Sequence, residues 1–410
     1  MKNKIDVSWN SLLLILPPVK LRSILQEMDE TDREWLRTQE NQMALILYIA
    51  YLEARKGGKR KTYDEHSFEI NVFDNIRIMV KNLKERTYRP SRSAAHIIFS
   101  PVIREIFAAP FRDRVVHHLL FMAVYEWWDR HFIYDSYSCR KGKGVLFGIR
   151  RLEHHIHSVE QKYGRVPYVY KFDIQGYFMS LPREKLYRTA IRGLNMQFEG
   201  REDTPLYYLL KFLWRQIIFD DPVKGATRKG KISNWKLIPT SKSLFCQPKG
   251  RGIVIGNLTS QLLSNIYLDQ LDRFVTMSLG YKHYGRYVDD FYIVVDKSQL
   301  EQLKRDVKVI ENFLRSIELT LHPKKRHLIR VDQGVPFLGV VVYMHYTVPG
   351  KRLIRNMNQA FREVAMGKRE LSTVASYLGH TLHINGFISV KKAFENAGWE
   401  YRNDKLFERR

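Results

Sequence analysis

Leu300, Leu303, Val307, Ile310, Leu314 and Ile317 recur at spacings of three and four, with charged residues between them, and predict a strongly amphipathic helix. The same period runs from Phe68 to Leu83, and helices are predicted near Phe111 to Trp128, from Pro182 to Leu194 and from Pro205 to Ile218. Other runs read as strands. Tyr168 to Ile174, bounded by Pro167 and Gly176, is one; Ala94 to Phe99, after Arg89-Pro90, is another. His283 to Val288 and Phe291 to Val295 predict a hairpin whose arms meet at Asp289 and Asp290. Leu262, Ile266, Leu271 and Phe274 mark one face of a helix capped by Asn257 or Thr259, and Leu319 to Leu321 is a last short segment. The central order is therefore β, α, β, β, α, β. That is the split βαβ arrangement of a ferredoxin-like sheet, with helices on one face and the other free to hold a ligand.

Outside this centre the pattern is mostly helical and basic. Residues 1 to 55 read as helical, broken at Pro17 and Pro18 and capped again at Asp29 to Asp32, and Lys56 to Lys61 form a basic turn that suits a linker or a phosphate-contacting loop equally. Residues 222 to 252 hold eight lysines and arginines and no acid, and read as a loop rather than a core element. Lysine and arginine total 68 against 43 acids, a net charge of +25 over 410 residues with a pI near 9.8. For a folded chain of two or three domains, this points to a polyanion, with nucleic acid foremost. Cys139 and Cys246 lack metal-ligand spacing, which excludes a disulfide framework or zinc module and fits a reducing cytoplasm. Leu12 to Leu16 is too short for a signal core, and Met43 to Leu52 is about half a membrane span.

Asp173 on the first strand and Asp289-Asp290 on the hairpin would converge in such a sheet. Three carboxylates there repel one another, and divalent cations for phosphoryl transfer are the natural remedy. Alone, a strand aspartate more often caps a strand and an Asp-Asp pair more often makes a turn. His117-His118 and His154-His155-His157 lack partners for a metal and are assigned no role. Tyr125 to Trp128 reads as core rather than as a base-stacking platform.

Three segments together resemble the ordered A, B and C motifs of reverse transcriptases: Lys171-Phe172-Asp173-Ile174-Gln175-Gly176-Tyr177-Phe178, Ile255-Gly256-Asn257-Leu258-Thr259-Ser260-Gln261 and Tyr287-Val288-Asp289-Asp290. Arg104 to His118 resembles the fingers motif. Tyr134 to Gly144 also fits, and Leu321 to Lys325 and Val335 to Gly339 resemble motifs D and E. The Gly-Asn-x-x-Ser-Gln segment and Arg140-Lys141-Gly142-Lys143-Gly144 are most similar to diversity-generating retroelement enzymes and related antiphage-defence enzymes. Ile255 replaces a glutamine of retroviral enzymes and Gln261 a proline, which implies altered fidelity.

The resemblance implies an α+β right-hand polymerase fold: an N-terminal helical extension (1–60), fingers (61–165), a ferredoxin-like palm (166–340) with the basic insert 222–252, and a helical thumb (341–410). It implies a cytoplasmic RNA-directed DNA polymerase that uses two Mg2+ ions, with Mn2+ as a substitute. Asp173, Asp289 and the Ile174 carbonyl would ligate metal, with Asp290 completing the catalytic cluster. Arg104, Phe178 as steric gate, Ile255, Gly256, Gln261 and Lys324 (or Lys325) would meet the nucleotide, and Tyr287 the primer. Expected partners are a template or noncoding RNA, the complementary DNA and its RNA–DNA duplex, deoxynucleotides and an accessory protein, with no membrane. Mutagenic copying of a retroelement RNA comes first among roles. Antiphage defence and a non-catalytic RNA-binding scaffold are the rivals.

Overall fold

In the computed structural model, residues 26, 29–56, 62–99, 103–400 and 408–409 are described. The proline break at Pro17 and Pro18 and the basic turn from Gly57 to Lys61 lie outside the described residues. The chain divides into two units, one of Met1–Ile133, Gln175–Leu271 and Leu314–Thr320, the other of Tyr134–Ile174, Asp272–Phe313 and Leu321–Arg410.

The second unit is built on a four-stranded antiparallel sheet in the order Tyr284–Tyr287, Asp290–Val295, Tyr168–Asp173, His327–Arg330. This is the ferredoxin-like order. Directly opposed residues share a face. Val169 with Val294, Lys171 with Tyr292 and Asp173 with Asp290 therefore line one face, which changes from apolar to cationic to acidic along the strands. Its apolar end is covered by the helix Val145–Tyr163, whose Ile149, Leu152, Ile156 and Val159 pack with Val169, Tyr292 and Val294. On the opposite face Phe172 stacks on Phe291 with ring centroids 4.8 Å apart, and both rings are fully buried. A sheet with one wholly free face was expected. Instead only the acidic end of one face is left to a cleft, because the hairpin Val335–Phe337 and Val340–Val342 also packs over the apolar part. Beyond Thr347–Pro349, the helices Lys351–Ala365, Ser372–Thr381 and Phe387–Asn396 enclose their own core of Met357, Phe361 and Phe394.

The fourth strand is not Leu319 to Leu321. Leu321 makes only a bridge to Ile174, Pro323 has no amide to continue a ladder, and pairing with the first strand resumes at His327.

The first unit is mainly helical. Thr38, Thr62 and Thr204 cap Gln39–Ala54, Tyr63–Ile70 and Pro205–Phe219 through the amides of Asn41, Glu65 and Tyr207. The predicted helix from Phe68 to Leu83 is two, Tyr63–Ile70 and Val72–Lys84, broken at Asn71, whose backbone leaves helical geometry. Phe111–His131, Arg183–Gln197 and most of Leu258–Arg273 follow. Because that last helix starts at Leu258, Thr259 lies inside it and Asn257 is the flanking residue. Strands Ala94–Ile98 and Arg104–Ala108 pair antiparallel, and Thr227–Arg228 from the basic insert joins them in parallel.

Gly285 shows how tightly the second unit's sheet is packed: a Cβ there would lie 2.2 Å from the Tyr137 hydroxyl and 2.6 Å from the Tyr292 ring. Gly285→Ala is expected to lower stability by about 1–3 kcal/mol, read as an earlier urea midpoint.

Candidate active site

Asp173 ends its strand directly opposite Asp290, the first residue of the neighbouring strand. Asp290 thus stands in the ladder, not in the turn as its Asp-Asp sequence predicted. The turn itself is Val288-Asp289. The Asp289 carbonyl accepts the Ile174 amide at 3.2 Å, and the Asp173 carbonyl accepts the His322 amide at 2.8 Å, so both ends of the acidic cluster are pinned by main chain.

Val288 holds a φ of +58°, a costly conformation for a β-branched residue. Arg286 holds it there. This fully buried guanidinium makes two 2.7 Å bonds to the two oxygens of the equally buried Asp272, reaches the Val288 carbonyl at 3.0 Å and Ser136 Oγ at 3.2 Å. Tyr284 donates to the same Asp272 carboxylate at 2.6 Å. Sequence reasoning passed over both Arg286 and Asp272. The available signal was an arginine inside an otherwise uncharged strand, three residues before Asp289.

Electrostatically the cluster is under load. Burial, reinforced by Asp290 and Asp173, pushes the Asp289 carboxyl up to about 6. Burial also raises Asp290, against the pull of Lys171, whose own ammonium is lowered by burial. Lys171 Nζ donates to the Pro336 carbonyl at 2.5 Å, and Lys325 Nζ lies 2.9 Å from Asp173 Oδ2. These two lysines line, with Asp173 and Asp290, a cleft of about 610 Å³. The lysine that reaches an aspartate is therefore Lys325; Lys324 is exposed, and its amide bonds to His322 Nδ1 at 3.2 Å. Ile174 is fully buried and bridges Leu321, while the Tyr287 phenol is raised by burial and hydrogen-bonds Ser138.

The remaining expected residues belong to the first unit. Arg104 opens its strand and is exposed. The Phe107 amide donates to the Ile255 carbonyl at 3.2 Å, and a Cβ on Gly256, at φ +125°, would approach Ile106 Cγ2 to 3.0 Å. Phe178 and Ile255 pack against one buried cluster of Ala95, Phe107, Met179 and Leu244. Gln261 is exposed on the first turn of Leu258–Arg273.

Leu244 belongs to the insert 222–252, which is thus part of the core rather than only a loop. The cause is Glu105: fully buried beside Arg104, it accepts bonds from Ser243 Oγ and, at 2.7 Å, from the Leu244 amide. His117, given no role, is also buried, 2.7 Å from the Thr259 hydroxyl.

Residues 103–342 match the family model for reverse transcriptase (RNA-dependent DNA polymerase). The chain belongs to the reverse transcriptase family. Its mixed helix-and-sheet architecture is that family's right-hand polymerase fold, and Asp173, Asp289 and Asp290 all lie in the matched stretch. Among curated proteins it is 24% identical to protein YkfC of Escherichia coli K12 over 271 residues, which covers 58% of this chain and 62% of that protein. It is 22% identical over 235 residues to the group II intron-encoded protein LtrA of Lactococcus lactis subsp. cremoris, covering 56% and 33%. The chain thus spans less than two thirds of these relatives' lengths. Solved telomerase structures from Candida albicans and Candida tropicalis align at 12% identity, with TM-scores of 0.44 and 0.46, over 77% and 75% of this chain and 57% and 58% of theirs. No helix among the described residues is long and apolar enough to cross a membrane.

The raised Asp289 carboxyl has a definite pH signature in this family member. Its folded value, about 6, lies above the ordinary 3.8, so it favours the folded state at low pH and that contribution is lost as pH rises from about 4 through 6. Without divalent ions the protein should lose on the order of 2 kcal/mol across that window, and Asp289→Asn should flatten the slope in urea titrations at pH 4, 5 and 6.5.

Proposed function

We propose that this protein is an RNA-directed DNA polymerase that synthesises complementary DNA on a cognate noncoding or template RNA, within a diversity-generating retroelement. The observation that carries the polymerase reading is the register of Asp173 against Asp290, with Asp289 in the adjoining turn: three carboxyls at one sheet end on a chain of net charge +25. Hard oxygen donors crowded together at a buried site, whose mutual repulsion a dication would relieve by displacing their protons, suit magnesium, with manganese as a substitute. Asp173, Asp289 and the Ile174 carbonyl would hold the ions, and Asp290 completes the cluster. When bound, two such ions activate the primer hydroxyl and stabilise the departing pyrophosphate.

The chain's own residues supply the rest. Lys325, already on Asp173, is the cation beside the cluster and takes the role expected of Lys324 or Lys325, to neutralise or protonate the pyrophosphate. Arg104 grips the triphosphate by forked bonds. Phe178, held in the cluster with Ile255, closes the space beneath the sugar against a 2′-hydroxyl. Gly256 permits close backbone approach, Gln261 borders the templating base, and Tyr287 packs under the primer end. Residues 61–165 serve as fingers, 166–340 as palm and 341–410 as thumb. The exposed cations of the insert, Lys224, Arg228, Lys229, Lys231, Lys236, Lys242 and Lys249, neutralise template phosphates. Retroelement mutagenesis is favoured by Ile255 and Gln261.

With an RNA template, a DNA primer and Mg2+, the wild type should incorporate deoxynucleotides, and Asp289→Asn should lower the rate by roughly 10^3-fold or more. Phe178→Ala should gain ribonucleotide incorporation. Sequencing the nucleic acid that co-purifies with the protein expressed from its flanking DNA tests the setting. Changes concentrated at template adenines support the retroelement reading; faithful copies of a structured noncoding RNA replace it with a defence role. An absence of carboxylate-dependent DNA leaves only the scaffold.

A further inference from the structure

We infer that His157, Glu160 and His345 form a binding site for a transition-metal dication of the zinc type, separate from the aspartate cluster. His157 and Glu160 project from the same face of the helix Val145–Tyr163, three residues apart, and His345 lies between the strands Val340–Val342 and Thr347–Pro349. One ligand atom from each residue lies within 4.8 Å of the others. His157 Nδ1 stands 3.4 Å from Glu160 Oε2, His345 Nε2 stands 3.9 Å from Glu160 Oε1, and the two imidazoles lie 5.9 Å apart and stack at 25°.

The chemistry selects the ion. Two imidazoles and one carboxylate are a borderline donor set, suited to zinc, cobalt, nickel or copper and poor for magnesium or calcium. With metal–ligand bonds of about 2.0–2.2 Å, donors on a tetrahedral ion sit roughly 3.3–3.5 Å apart. The His157–Glu160 distance already meets that spacing, and His345, whose donor lies within 4.8 Å of the other two, has up to about 1.5 Å to close. His345 is 70% exposed and makes no other hydrogen bond or ion pair among the described residues, so the movement breaks no polar contact there. Three protein ligands also leave a fourth position for water.

The scaffold is fixed before any ion arrives. One turn before His157 on the same helix, Glu153 accepts the Thr347 hydroxyl at 2.5 Å, two residues beyond His345. Thr347 is buried, and its amide and carbonyl both bond Asn385, which precedes the helix Phe387–Asn396. An ion on the three residues would therefore tie the sheet-covering helix to the hairpin that leads into the carboxyl-terminal helices. It would act as a structural staple.

The test uses untagged full-length protein, stripped by a chelator and titrated with Co(II) in excess Mg2+, which occupies the aspartates. One equivalent should bind with the visible absorption of a nitrogen-ligated cobalt. His345→Ala and His157→Asn should each weaken binding at least tenfold, while Asp289→Asn leaves it unchanged, and Zn(II) at a concentration that just saturates the wild type should raise the melting temperature by about 2–4 °C in the wild type and in Asp289→Asn but by less in the two histidine variants. No stoichiometric binding, undiminished binding in His345→Ala, or loss in Asp289→Asn would each overturn the site. Circular dichroism of the two histidine variants distinguishes lost ligation from lost fold.

Discussion

A single buried guanidinium organises the acidic end of the central sheet. Arg286 has no access to water, and a charge so placed is tolerable only when its donors are met. Asp272 meets two of them, and the Val288 carbonyl and Ser136 hydroxyl take others. Main chain completes the frame, with the Arg286 amide on the Asp135 carbonyl and the Tyr137 amide on the Arg286 carbonyl. The strained turn at Val288 is thereby over-determined from both sides. That turn sets the height of Asp289 and the register that puts Asp290 against Asp173.

The same rigidity explains how like charges persist together. Left to relax, three carboxyls would turn apart into solvent, but the ladder fixes two and the turn fixes the third. The chain answers their repulsion partly with protons, in the raised Asp289 and Asp290 carboxyls, and partly with Lys171 and Lys325. Neither answer is complete. Lys171 is itself lowered by burial, and the Lys325 ammonium is more than half exposed, where water screens its attraction. The cluster is thus left with a net excess of negative charge that the chain's own cations only partly offset.

In the other unit a buried carboxylate does comparable work. Glu105 ties the basic insert to the strand that carries Arg104, so that a segment dense in lysine still contributes Leu244 to a core with Phe107 and Met179. Arg228, stacked 4.0 Å over the Phe245 ring and 5.1 Å over Trp235, fastens the insert's outer part by cation–π contact. The exposed lysines are thereby presented on an ordered support rather than a slack loop.

Much of this was legible along the chain, because hydrophobic period is a local property. Tyr168–Asp173, Phe111–His131, Pro205–Phe219 and Leu300–Ser316 sit where their patterns predicted, and the three aspartates stood out because their neighbours form ordered motifs. The sequence misled wherever an outcome depended on a partner far away. Asp-Asp reads as a turn until the facing strand claims Asp290; the insert reads as solvated until Glu105 draws Leu244 inward; Lys324 and Lys325 are indistinguishable until the chain's path past Pro323 points one of them at Asp173. Arg286 and Asp272 carry no motif, since their meaning is a buried pairing between segments that only folding brings together. Composition and period thus determined most of the elements and the basic character, and the resemblance to the ordered motifs singled out the acidic trio. Tertiary structure alone decided register, burial and which charge answers which, because desolvation and pairing are properties of places in space and not of positions along a chain.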